Sequence, residues 1–245
     1  MLSKNQIKLI NQLNQKKHRK KNQLFFAEGI KTVKEFLNSS YELERLYTTT
    51  DALFTEDDKV QIISERELSK ISSLTTPQMM LGVFKIPDLK PDLKVELSIV
   101  LDGVRDPGNL GTIIRLCDWF GIEQLICSLD TVDCYNPKSV QATMGSLARV
   151  KVVYTDLEEL LKQVDIPVYG TFMNGKNIYQ EVLPKQALIV MGNEANGISP
   201  EIEKLISDRI RIPQFGRIRE TESLNVGTAT AIVLSEFMRR LPTRE

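Results

Sequence analysis

Apolar positions along this chain change their period several times, and each change marks an element. Between residues 3 and 14, Ile7, Ile10 and Leu13 fall on one face of a helix. "LFFAEG" (24–29) is a continuous apolar run of strand length, and "IKTVKEFLNS" (30–39) returns to helical spacing with Ile30, Val33, Phe36 and Leu37 inward. "LERLYTT", "KVQIIS", a short helix over 65–72 and "MLGVFKI" continue the alternation, predicting a small α/β unit that ends near residue 86. "PDLKPDLKVE" (87–96) carries two prolines and alternating charge, so it cannot extend a helix and reads as an interdomain linker.

From residue 97 the pattern is more regular. Strands are expected at "LSIVLDG" (97–103), "QLICS" (124–128), "RVKVVY" (149–154), "PVYGTF" (167–172), "ALIVMG" (187–192) and "RIRIP" (209–213), with helical stretches between most of them. Continuous apolar strands alternating with helices imply a mainly parallel sheet covered on both faces. Ligands of such sheets bind at the carboxyl ends of the strands, which directs attention to the loops after residues 101, 171, 191 and 212.

Composition narrows the function. With 42% hydrophobic and 26% charged residues, 245 residues suffice for one large domain or a small and a medium one. No apolar run of about 18 residues is present to span a membrane, and the start "MLSKNQIKLINQLNQKKHRKK" has no apolar signal-peptide core. Cys117, Cys127 and Cys134 lack metal-binding spacing and read as reduced thiols of a cytoplasmic protein. The single histidine, His18, lies in a lysine run, which leaves no material for a histidine-ligated metal or a Ser-His-Asp triad. Net charge is zero, yet residues 1–40 hold nine cations against two acids. Such a cluster, centred on Lys16, Lys17, Arg19, Lys20 and Lys21, favours phosphates or is simply solvated charge.

Three stretches could carry chemistry, each at a strand end. In "DGVRDPGNLGTIIRLCDWFG", Pro107-Gly108 turns the chain and Asn109 is the expected cap of a helix starting at Leu110. Arg115 lies off that helix's apolar stripe, one to two turns from the N-terminus. The glycines have neither dinucleotide-fingerprint nor P-loop spacing. "LIVMGNEANGIS" (188–199) runs a buried strand into Gly192-Asn193-Glu194, a tight loop whose backbone can approach a ligand closely. In "RIRIPQFGRIRETESLNVGTATAIVLSEFMRR", Ser223 is the expected cap of a long helix to Arg240, flat on one side from Gly227 to Ala231 and so able to pack closely. Each stretch alone equally suits a plain capped helix or turn.

Their order along one α/β domain resembles the SpoU (TrmH-like) branch of the SPOUT RNA methyltransferases. "DPGNLGTIIRLCDWFG", "VMGNEANGIS" and "IPQFGRIRETESLNVGTATAI" match that family's motifs in sequence, "NPKSVQATMGSLARVKV" (136–152) its intervening segment, and "FFAEGIKTVKEFL" its small ribosomal-protein-like domain. "QFGRIRETE" is longer and more charged than the loop common in the family. The resemblance implies a Rossmann-like, mainly parallel sheet with a C-terminal trefoil knot over residues 96–245. A small α/β RNA substrate-binding domain over residues 1–90 would precede it, and the whole would work as a homodimer. It further implies an S-adenosylmethionine-dependent enzyme that methylates a ribose 2′-hydroxyl, of ribosomal RNA more than transfer RNA, without metal or membrane. Asn109, Arg115, Glu194, Ser223 and Asn225 take the catalytic positions; Thr171, Gly192, Asn193, Ile212 and Leu224 the cofactor positions. The basic run with Arg217 and Arg219 would face RNA. A catalytically silent RNA-binding protein of the same fold is the alternative from another class, and a different nucleotide-dependent α/β enzyme a third.

Overall fold

Strand β1 (Leu24–Glu28) is buried at every position, and its alternating side chains divide one core into two. Leu24 and Phe26 join Ile10 and Leu13 from helix α1 (Lys4–Gln12), together with Tyr47, Leu81 and Val83. Phe25 turns to the other face, where its ring meets those of Phe36, Tyr41, Phe84 and Tyr135 at centroid distances of 4.6 to 5.8 Å. Helix α1 begins in a capping box between Ser3 and Gln6, and α2 (Lys16–Asn22) is the basic run itself. Helix α3 (Ile30–Leu37) buries Thr32, Val33 and Phe36, so Thr32 takes the inward place expected of Ile30 and Leu37, which are half-buried. β2 (Leu43–Thr48), β3 (Val60–Ile62), α4 (Glu65–Leu68) and β4 (Met80–Lys85) complete a sheet in the order β1-β4-β2-β3.

These elements come from a computed structural model that describes residues 1–50, 58–94, 96–216 and 223–239. It divides the chain into two units: residues 1–88 with 133–149, and residues 89–132 with 150–245.

The second unit opens with β5 (Leu97–Leu101), α5 (Pro107–Phe120) and β6 (Gln124–Cys127). The chain then passes to the first unit, where residues 133–149 pack with α6 (Pro137–Thr143). Two contacts tie this segment in: Arg19 with Asp133, and Arg149 with Glu35. The second unit resumes with β7 (Lys151–Tyr154), α7 (Leu157–Leu161), β8 (Val168–Asn177), β9 (Ala187–Met191), α8 (Pro200–Glu203), β10 (Asp208–Arg211) and α9 (Val226–Met238). Its sheet runs β10-β8-β9-β5-β6-β7 with every neighbouring pair parallel. Val100, Ile126, Leu188 and Val190 pack on one face against Leu157, Leu161 and Ile202. Helices α5 and α9 pack together, and a Cβ on Gly227 would stand 3.2 Å from the Thr112 methyl, a close approach made by the small side chains of α9.

Two helix starts differ from expectation. Helix α5 begins at Pro107, capped by Asp106, whose Oδ1 accepts from the Asn109 N–H at 2.8 Å. Helix α9 begins at Val226, capped by Asn225 rather than Ser223. In both places a neighbouring residue does the capping and releases another side chain, with consequences for the site.

Candidate active site

A cavity of about 820 Å³ opens beyond the carboxyl ends of β9 and β10. Part of its wall is the backbone of the 192–198 loop, and the rest is mainly apolar side chains. A Cβ on Gly192 would lie 2.2 Å from the Gly197 carbonyl carbon and 2.3 Å from the Ile198 nitrogen, so only glycine lets the two arms of this loop touch. Asn193 and Gly197 exchange both backbone hydrogen bonds at 2.9 Å, and the Asn193 amide donates to the Gly103 carbonyl at 2.6 Å. Strand β8 supplies the far side by an irregularity. Its pairing with β10 jumps from Gly170 to Lys176 across one step, which loops Thr171–Gly175 out of the ladder toward the cavity. Thr171, Gly192, Asn193, Ile212 and Leu224 all line this space, with Glu194 and Ser223 beside them.

Next to it runs a chain of amides with a fixed direction. Asn225 Oδ1 caps α9 by accepting from the Gly227 and Thr228 N–H groups at 3.0 and 3.2 Å. Its Nδ2 is thereby left to donate, and it does so to Asn109 Oδ1 at 2.8 Å. The Asn109 Nδ2 in turn donates to Glu194 Oε1 at 2.9 Å. Each amide has one orientation that satisfies both neighbours, and the sequence of donors must end on an acceptor. Partial burial pushes the Glu194 carboxyl up, but the Asn109 hydrogen bond and backbone donors at Glu194, Arg105 and Asp106 outweigh it. Its net shift is downward, so Glu194 is a carboxylate throughout the neutral range.

Arg115 is exposed on α5 and outside the cavity lining. Because α5 starts at Pro107, Arg115 stands more than two turns from the N-terminus, farther than the one to two turns expected and beyond the reach of the helix-end field. Lys16, Lys17, Lys20 and Lys21 are exposed along α2. Arg19 is not, and its assignment to RNA is corrected. It is 2% exposed, its Nε and Nη2 donate to Asp133 Oδ2 at 3.0 and 2.7 Å, and its Nη1 donates to the Leu13 carbonyl at 2.7 Å. A guanidinium buried to this degree and held by these partners is out of a phosphate's reach. Arg217 and Arg219 lie outside the described residues. Sequence reasoning missed Phe172, Met173, Arg211 and Phe215, all of which line the cavity. The signal for Arg211 and Phe215 was present, since both flank the motif at Ile212-Pro213.

Among the described residues, no cluster of His, Cys, Asp and Glu could hold a metal ion, and no helix is long and apolar enough to cross a membrane. All three cysteines are buried, and none of them is in a disulfide.

An all-parallel sheet with a cavity at the carboxyl ends of its strands defines an α/β protein of the kind whose ligand sites lie at that edge. Comparison with known proteins gives the family. The SpoU rRNA Methylase family matches residues 96–235, and an MRM3-like substrate binding domain matches residues 4–82. The chain is 30% identical over 241 residues to the 23S rRNA (guanosine(2553)-2′-O)-methyltransferase RlmP of Bacillus subtilis, covering 95% of this chain and 96% of that one. A TrmH-family protein from Porphyromonas gingivalis superposes with a TM-score of 0.90 at 42% identity, covering 98% of this chain and 99% of that one. An AdoMet-bound rRNA methyltransferase from Sinorhizobium meliloti gives 0.86 at 32% identity, covering 99% and 97%. The chain belongs to the SpoU rRNA methylase family.

Proposed function

We propose that this protein transfers a methyl group from S-adenosylmethionine to the ribose 2′-hydroxyl of a guanosine in large-subunit ribosomal RNA. The observation that carries this reading is the convergence of six motif residues (Gly192, Asn193, Glu194, Ile212, Ser223 and Leu224) with Thr171 on one cavity of a SpoU-family chain. Its relatives' action on 23S rRNA guanosines supports the choice of RNA. A cavity of about 820 Å³ is within the range that holds small cofactors, and the loop backbone in its wall suits a ligand recognised by shape and hydrogen bonding.

S-adenosylmethionine, when bound, supplies an activated methyl group, so the protein's tasks are alignment and charge management. Thr171, Gly192, Asn193, Ile212 and Leu224 would hold the cofactor. Glu194, fixed by Asn109, orients the loop that carries it; Ser223 and Asn225 present a hydroxyl and an amide at the reaction centre. Arg115 binds target phosphate and stabilises negative charge on the ribose oxygen. A guanidinium with pKa above ~12 is poorly suited to accept the proton. Residues 1–90 form the substrate-binding domain, with Lys16, Lys17, Lys20 and Lys21 on RNA phosphates. Residues 96–245 form the transferase, its C-terminal part threaded as the family's trefoil knot. The homodimer contact falls on the exposed face of α5, where Trp119 is 84% exposed and Arg115 stands one turn away. An apolar ring so open to water favours a partner surface. The enzyme would act in the cytoplasm, where its cysteines stay reduced.

Two measurements test the proposal together. Calorimetry must detect S-adenosylmethionine binding, and reverse-transcription stops across ribosomal RNA must lose one ribose methylation in a deletion strain. Arg115→Ala should abolish transfer while binding of the cofactor persists; full activity in that variant overturns its assignment.

A further inference from the structure

The cavity has an apolar rim that its inner walls do not explain. Phe215, two residues beyond Pro213, lines the cavity yet is 85% exposed. Its ring is stacked against Tyr179, with centroids 6.4 Å apart and planes 29° from parallel. Met173, on the looped-out stretch of β8, is 59% exposed on the same lining. Most of that ring faces solvent, open to a ligand that arrives from outside the cavity. Arg211 also lines the cavity and makes no ion pair with a described residue, so a cation accompanies the aromatic surface.

We infer that Phe215, backed by Tyr179, is a stacking platform for an unpaired base of the substrate RNA, with Arg211 serving an adjacent phosphate. The inference rests on the proposed action on RNA and adds the residue that presents the target nucleotide. A ring held flat by a second ring loses little freedom when a base stacks on it, and every base has a π face to offer. Guanidinium and aromatic ring together fit the two halves of a nucleotide, anionic and planar. The platform adjoins the cavity that holds Glu194 and Ser223, so a base stacked there brings its own ribose toward the reaction centre.

The test uses the full chain and a single-stranded RNA oligonucleotide carrying 2-aminopurine, whose fluorescence is quenched by stacking. Binding of this probe should weaken roughly five- to a hundredfold in Phe215→Ala, the range for loss of one base–aromatic stack. Phe215→Trp should restore it, and Phe215→Leu, apolar without a π face, should behave like alanine. S-adenosylmethionine affinity by calorimetry should fall less than probe affinity in Phe215→Ala and Phe215→Leu. On ribosomal RNA from a strain lacking the enzyme, the KM for RNA should rise more than kcat falls. Unchanged probe binding in Phe215→Ala overturns the platform. So does weakened cofactor binding with RNA affinity intact, which would give the ring to the cofactor, or a changed oligomeric state alone, which would give it to a protein contact. If the wild-type chain quenches the probe but transfers no methyl group, the proposed reaction fails while the platform stands.

Discussion

Replacing Asn109 by aspartate should give the site a pH dependence that the native protein lacks. Aspartate can still accept from Asn225 Nδ2 at 2.8 Å, but it sets a second carboxylate oxygen against Glu194 Oε1, 2.9 Å away in the native contact. Two unit charges at ~3 Å repel by roughly 5 kcal/mol at an effective dielectric of about 20. Solvent exposure of Glu194 reduces this to roughly 1.5–3 kcal/mol, or about one to two pK units. The pair should therefore share a proton and titrate as a dyad, its upper pKa raised above the ordinary carboxylate range. Native Glu194 has the opposite sign: its pKa is lowered, so the contribution of its hydrogen bonds is present above the ordinary carboxylate range and lost only in acid. In the variant the raised group contributes at low pH, and that contribution is lost as pH rises through the dyad's raised pKa. Melting temperature and S-adenosylmethionine affinity of Asn109→Asp should approach wild type at pH 5 and fall behind it by pH 8. Parallel pH profiles for the two proteins would refute the amide chain as drawn.

Arg19→Met or Asp133→Asn should each cost about 3–5 kcal/mol in urea unfolding followed by circular dichroism, because each leaves one buried partner of the pair uncompensated. Changing Lys16, Lys17, Lys20 and Lys21 to glutamine should leave stability within about 1 kcal/mol and flatten the salt dependence of RNA binding by up to ~0.9 per lost phosphate contact. An unchanged slope would return the run to solvated charge. Gly192→Ala drives a Cβ into backbone 2.2 Å away and should cost about 1–3 kcal/mol while abolishing calorimetric binding of S-adenosylmethionine.

All six strands of the second unit were legible, some as apolar runs such as "LSIVL" and "ALIVM" and others as alternating ones such as "RIRIP", although β8 runs five residues past its expected end. Caps were less so. Asp106 and Asn109, like Ser223 and Asn225, are pairs of residue types that all cap helices, and spacing alone does not choose between them. Thr171–Gly175 could not be seen leaving the ladder, since the irregularity exists only in the pairing of β8 with β10. Arg19 was misjudged for a similar reason: within "KKHRKK" it looks like its neighbours, and its partner Asp133 is 114 residues away. Local pattern reports how a segment could be buried; a long-range pair decides whether one charge within it is.

The choice of asparagine twice in the amide chain follows from what capping requires. An aspartate at 225 would cap α9 as well, but it would present only acceptors to residue 109 and the donor sequence toward Glu194 would break. Asparagine keeps its oxygen on the helix and leaves the nitrogen facing outward, so the start of α9 sets the polarity of the whole chain. The reach of that nitrogen depends on how closely α9 lies on α5, which carries Asn109. Here the small residues matter: Gly227 lets α9 settle to within 3.2 Å of the Thr112 methyl, measured from where its Cβ would be. A larger side chain at 227 would lift the cap away from Asn109 and shift Val226 and Ala229, which line the cavity from the same helix. Close packing of two helices thus fixes the orientation of a carboxylate that lies on neither of them.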